Sequence, residues 1–206
     1  MRRLGIAAFM LAAVLVAYVA GAQVERASAI RIAPVDEAAM TPAQREMLGP
    51  SGTGPRTLQL FRICVRAPEM CRAWVTVTQS FSKLSMSLHD RELVILRTSF
   101  LCGNEYTWAN HVAAGKRAGF SDDDLVRITK GPQAGWSGFE KTLLEATDAL
   151  HKNQFIPDAT WKALSSRYDD QKLQELIYLM AQYTFAAMWA RSAGLPLEPG
   201  VPGFPR

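Results

Sequence analysis

LHDRELVILRTSFLCGNEYTWANHVAAGKRAG, residues 88–119, is the stretch on which the fold turns. It reads as two helices joined tightly at Gly103. Each residue of a helix advances by about 100°, so in the second helix Asn104, Thr107 and His111 share one stripe, with Trp108 beside it. In the first helix, Glu92 lies in register with Leu93, Leu96 and Ser99, a mostly apolar side that should pack against its partner. Polar side chains thus stand where a purely structural helix pair would carry apolar ones.

The same period continues on both sides. Ser87 with Asp90, Ser121 with Asp124 and Ser137 with Glu140 each have the spacing of a capping box, in which side chains satisfy the free amides of a helix start. Thr41-Pro42 supplies an N-cap followed by proline at the first helical position. Helices are expected at 42–48, 57–64, 68–82, 88–102, 104–118, 122–130, 138–152, 158–166 and 170–192, so the chain reads as all-α, a helical bundle. In the last helix Leu173, Leu176, Ile177, Met180, Tyr183, Thr184, Ala187 and Met188 recur at core spacing, and Gly194 suits the exit. The Gly/Pro-rich run from Gly49 to Pro55 is turn material; it lacks the lysine of a phosphate-binding loop, and no strand precedes it. No GxSxG nucleophile elbow is present.

At the N-terminus, Arg2 and Arg3 precede an uncharged apolar run from Leu4 to Ala20. That is the pattern of a secretory signal, with small-residue cleavage sites after Ala22 or Ala29, and it predicts a periplasmic or secreted protein. Left uncleaved, the run would be a membrane anchor slightly short of the usual spanning length. The divisions read from sequence are 1–29 signal, 30–55 extended lead-in, short helix and loop, 56–195 helical domain, and 196–206 Pro-rich tail lying across the surface or a neighbouring subunit. Either cleavage lowers the net charge from +4 to +2, because Arg2 and Arg3 leave while Glu25 and Arg26 cancel. The remaining Lys and Arg are scattered, which argues against nucleic acid as a partner.

Three cysteines in an oxidising compartment leave at least one unpaired. Cys64 and Cys71 are the plausible couple: in one continuous helix their α-carbons would be about 10 Å apart, too far to bridge, but Pro68 breaks the chain direction. Cys102 follows the apolar run 93–101 and reads as a buried small hydrophobe. Neither CxxC nor HxxxH spacing occurs around Cys102, Glu105 and His111, so no metal site is expected. Trp74, Trp136, Trp161 and Trp189 read as core or subunit-interface aromatics.

The chemistry therefore falls on Glu92 and His111. Desolvation raises a glutamate pKa and can make it a proton donor or acceptor near neutral pH, with a facing histidine as its partner. The structural alternative is an ordinary ion pair of Glu92 with Arg91, Arg97 or Lys116, and a hydrogen-bonded core histidine.

At Arg91-Glu92-Leu93, Glu105-Tyr106, Trp108, His111, Ala114 and Gly119-Phe120-Ser121 the sequence resembles the carboxymuconolactone decarboxylase family, which includes the AhpD-type hydroperoxidases. The resemblance extends more weakly from about Arg56 to Gly200. In the peroxidase branch a relay Glu is followed by a CxxC pair and a His; here Glu92 and His111 hold the outer positions, but Asn104 and Thr107 replace the cysteines. A thiol cycle of that type is thus not expected. The resemblance implies instead a cofactor-free lyase acting on a small carboxylated lactone or related acid. His111 would carry the proton and Glu92 would hold its tautomer, while Asn104, Thr107, Trp108 and Arg91 or Arg97 contact substrate. It also implies a homotrimer or homohexamer. The alternatives are a thiol redox protein using Cys64 and Cys71, and a non-catalytic ligand-binding protein.

Overall fold

The computed structural model describes residues 29–49 and 58–205. The signal segment before Ala29, the turn run from Pro50 to Pro55 and the start of the helix expected at residue 57 lie outside them. Among the described residues there are nine α-helices and no strand: α1 (Pro42–Leu48), α2 (Gln59–Cys64), α3 (Pro68–Ser80), α4 (Leu88–Leu101), α5 (Glu105–Arg117), α6 (Asp122–Lys130), α7 (Gly138–Asn153), α8 (Asp158–Ser165) and α9 (Asp170–Ala193). None is long and apolar enough to cross a membrane.

The helix starts follow the capping residues, with one exception. Thr41 with Gln44 and Ser121 with Asp124 form full reciprocal boxes. Ser87 accepts from the Asp90 amide, and Asp169 caps α9 in the same way. The expected box at Ser137 does not form: its side chain makes no capping bond, and the Glu140 carboxylate is taken instead by His89 at 2.8 Å. A charged partner from another helix outcompetes the local amide.

The central element is α4, which packs against α5, α6, α7 and α9. From Glu92 to Ser99 every residue is buried, so the apolar side inferred from sequence is only part of its buried surface. Its charged residues all find partners, whereas the buried Thr98 hydroxyl has none among the described residues. Asp90 accepts from the Tyr168 hydroxyl at 2.8 Å. Arg97 grips Asp148 through two bonds of 2.6 and 2.8 Å and donates to the carbonyls of Ile128 and Thr129, tying α4 to α7 and to the end of α6. A buried guanidinium is stable only when its donors are used in this way.

Cys64 and Cys71 form a disulfide, their α-carbons 5.1 Å apart because the chain turns between α2 and α3. Both sit at 1% exposure among Met40, Leu48, Val65 and Val75. The Pro-rich tail folds back on its own chain, with Phe204 packed edge-on against Phe100 and Trp108. At the end of α9, Gly194 takes a left-handed φ of +72°, and a Cβ there would collide with the Ala29 carbonyl. The lead-in crosses at that point and caps the helix, Arg31 and Ile32 donating to the Ala193 carbonyl. Trp136 is buried and Trp74 packs edge-on against Trp189, whereas Trp161 is 39% exposed.

Candidate active site

The tight joint at Gly103, with φ of +62°, lets α5 leave α4 at once. Asn104 then caps α5, its side chain accepting from the Thr107 amide at 3.3 Å and donating to the Thr107 hydroxyl at 2.6 Å. This start fixes the rotation of α5 and places His111 opposite Glu92.

His111 Nδ1 lies 2.8 Å from Glu92 Oε2. Arg91 donates to Glu92 Oε1 at 3.1 and 3.2 Å and to the Phe81 carbonyl at 3.3 Å. The Glu92 side chain is only 1% exposed, so burial on its own would push its pKa up; the hydrogen bond and charge of His111, then Arg91, outweigh that and hold it below the ordinary carboxylate range. The upward shift expected from burial is corrected: the His111 hydrogen bond and the Arg91 guanidinium move the Glu92 pKa down instead. An ionised Glu92 accepts the Nδ1 proton, which leaves Nε2 as the nitrogen that exchanges protons.

That nitrogen faces Tyr183 of α9, whose hydroxyl lies 3.2 Å from Nε2 while the two rings meet edge to face. Burial, reinforced by the Glu92 charge, raises the Tyr183 phenol well above its usual value, so it stays a neutral donor or acceptor. Sequence reasoning placed Tyr183 only in the apolar stripe of the last helix. Its one detectable signal is a hydroxyl within that stripe.

His111 and Tyr183 border a cavity of about 90 Å³. Its apolar wall includes Leu58, Leu60, Phe61, Trp74, Phe81 and the Tyr106 ring, and its polar wall Thr78, Thr107, Asn110 and Gln182. No Lys or Arg lines it among the described residues. Of the substrate contacts expected from sequence, Thr107 reaches the cavity. Asn104 is 1% exposed and spent on the helix cap; Trp108, also 1% exposed, packs into the core against Phe100 and Phe204; and Arg97 is committed to Asp148. None of these three lines the cavity, and Arg91 acts through Glu92. Helical register alone cannot separate a side chain facing a cavity from one facing a neighbouring helix.

A larger groove, about 560 Å³, runs past Cys102, His151 and Arg191. Cys102 is half-buried, not a fully buried hydrophobe, with its sulfur 3.7 Å from His151 Nδ1. Burial pushes its thiol up, a shift that Thr184 and Arg191 only partly offset. Among the described residues no group of three His, Cys, Asp or Glu side chains is placed to hold a metal ion.

Residues 68–150, from α3 to the last turns of α7 and including both Glu92 and His111, match the Carboxymuconolactone decarboxylase family. Over these residues the chain is similar to that family. Solved structures extend the likeness of its fold. A protein of unknown function from Agrobacterium tumefaciens, named for the antioxidant defence protein AhpD, superposes with a TM-score of 0.60 at 17% identity, over 65% of this chain and 93% of that one. The debrominase Bmp8, solved as a cysteine-to-alanine variant with 2,3,4-tribromopyrrole, gives a TM-score of 0.65 at 12% identity, over 85% of this chain and 95% of that one. At such identities the likeness is one of fold. No curated protein matches the chain in sequence. The described residues are all-helical, with an AhpD-like fold.

Proposed function

We propose that this protein is a cofactor-free lyase that moves a proton on a small carboxylated ring compound, a lactone or related acid. The observation that carries the reading is the Glu92–His111–Tyr183 relay, at 2.8 and 3.2 Å, opening onto a compact, largely apolar cavity.

A substrate carboxylate in this cavity would meet the imidazole, hydroxyls and amides but no guanidinium from the described residues. A poorly solvated carboxylate is disfavoured relative to neutral carbon dioxide, so the environment favours its loss. As the C–C bond breaks, its electron pair passes into the neighbouring carbonyl to give an enolate. The His111 imidazolium then delivers the Nε2 proton to carbon, while Glu92 holds the opposite nitrogen and balances the charge. Tyr183 is placed to steady the imidazole between these states.

A peroxidase cycle of the AhpD type finds less support. Asn104 and Thr107 are engaged in a helix cap, and Cys64 and Cys71 lie in a disulfide at 1% exposure. Export to the periplasm or medium, and assembly as a homotrimer or homohexamer, belong to the same proposal. The first is supported by the N-terminal sequence pattern and the disulfide, the second by the outward apolar side chains Ile177, Phe185 and Met188 of α9, 40, 46 and 66% exposed.

The test is incubation of the protein with carboxymuconolactone and a panel of carboxylated lactones and β-keto acids, following carbon dioxide release and deuterium uptake from solvent. His111→Ala should lower the rate by about 10² to 10⁴. Equal rates in both proteins, or no turnover across the panel, would reject the reading in favour of a binding role.

A further inference from the structure

Glu198 stands in the tail, far in sequence from the relay, yet its carboxylate bonds Tyr106 of the cavity wall and Gln59 at the start of α2. It accepts from the Tyr106 hydroxyl at 2.7 Å, from the Gln59 amide at 2.9 Å and from Gln59 Nε2 at 3.2 Å. The Tyr106 hydroxyl in turn accepts from the Leu60 amide at 3.2 Å. Tyr106 and Leu60 line the cavity, as does Leu58, which begins α2 and offers its amides no side-chain cap. Free amides at a helix start need an acceptor, and an anion suits the positive end of the helix. Glu198 meets that need across 139 positions of sequence. The strap that carries it is held at its far end by Phe204 between Phe100 and Trp108.

Two consequences follow for the cavity. A phenol has one proton to donate, and Tyr106 gives it to Glu198, so its ring lines the cavity while its donor is spent elsewhere. Burial followed by the Glu198 contact raises the Tyr106 phenol far above its ordinary value, which keeps that proton in place. The first turn of α2, which supplies Leu58, Leu60 and Phe61, is held against α5 by this carboxylate together with the Leu60 amide's bond to Tyr106.

We infer that Glu198 is a specificity-determining positioning residue: by clamping the C-terminal strap to Tyr106 and to the start of α2, it keeps the cavity small and its Tyr106 wall apolar, restricting occupants to compact rings. The inference rests on the proposed site, but its test needs no turnover. Phenol and 2-naphthol are the probes, since neutral aromatics suit an apolar wall whatever chemistry the relay performs. Their dissociation constants would be measured well below the unfolding temperature for the wild type, Glu198→Gln, Glu198→Ala and Tyr106→Phe, together with amide exchange over residues 58–64.

With Glu198→Ala, exchange at Gln59 and Leu60 should rise about tenfold, the equivalent of about 1.4 kcal/mol from lost hydrogen bonding. The preference for phenol over 2-naphthol should fall by a similar factor. Tyr106→Phe should shift both in the same direction, and Glu198→Gln, which keeps one acceptor, should fall between. Faster exchange with an unchanged preference would reduce Glu198 to a purely structural clamp and overturn the inference. So would unchanged exchange, or a wild-type cavity that binds neither probe. A chain that passes this test and releases no carbon dioxide would refute the lyase reading alone.

Discussion

Glu92→Gln tests the charge logic of the site, because it removes an anion while preserving shape. The carboxylate accepts two bonds from Arg91 on Oε1 and one from His111 on Oε2, and the whole side chain is 1% exposed. An amide has one accepting end. If its oxygen faces His111, its NH₂ meets the Arg91 guanidinium donor to donor; reversed, it opposes the Nδ1 proton. At least one charge-assisted bond is lost either way, worth about 1.5–3 kcal/mol. Arg91 and His111 are 26 and 24% exposed and can turn partly to solvent, which keeps the loss below that of a fully buried broken pair.

We therefore expect a loss of about 2 kcal/mol at pH 7, or about 4–8 °C in Tm for a chain of this size. The pH dependence has a definite sign. The folded pKa of Glu92 lies below its ordinary value, so its contribution is complete above the unfolded value of about 4.3 and fades as pH falls through the folded one. Urea unfolding followed by circular dichroism, from pH 7 downward, should show the two proteins converging in acid. A gap below about 0.5 kcal/mol at pH 7, or one that stays constant on acidification, would refute the reasoning.

Three further outcomes are expected. His89 contacts the Ala118 carbonyl at 3.0 Å and Glu140 at 2.8 Å; burial alone would lower its pKa, but these contacts with Asp90 raise it, so His89→Gln should cost stability at pH 6 and little at pH 9, where the wild-type proton has gone. The effect should stay below about 1 kcal/mol, since both side chains are about a third exposed, and melts at the two pH values would measure it. Gly131→Ala places a Cβ 2.6 Å from Arg97 Nη2 at a φ of +88° and should cost about 2–4 kcal/mol, an unchanged Tm being the contrary result. Replacing Cys64 and Cys71 by serine opens a short loop and should cost roughly 2–3 kcal/mol, read by comparing urea midpoints with the intact disulfide.

The helices were legible in the sequence because their signals are local. Thr41, Ser87 and Ser121 cap helices through amides three residues away, and the apolar spacing of α9 marks its packing face. Ser137 failed because His89, 51 positions from Glu140, took the carboxylate that the local box needed. At the site, Glu92 and His111 could be paired because they sit on consecutive helices joined by a single tight turn. Tyr183 reaches His111 from 72 positions away and Glu198 reaches Tyr106 from 92, and no periodicity reports on such distances. Trp108 stands beside the stripe of Asn104, Thr107 and His111, but register does not say which buried face adjoins a cavity.

The sequence by itself determined the all-helical class, most helix limits and the coupling of Glu92 to His111. Each of these depends on residue type and short-range spacing along a helix. Only the tertiary structure decided the direction in which the Glu92 pKa moves, that the Tyr183 hydroxyl meets His111, and that Glu198 of the tail bonds Tyr106. A pKa is set by the balance of burial against neighbouring charge, and a cavity by the helices that surround it; both are sums over residues that meet only when the chain has folded.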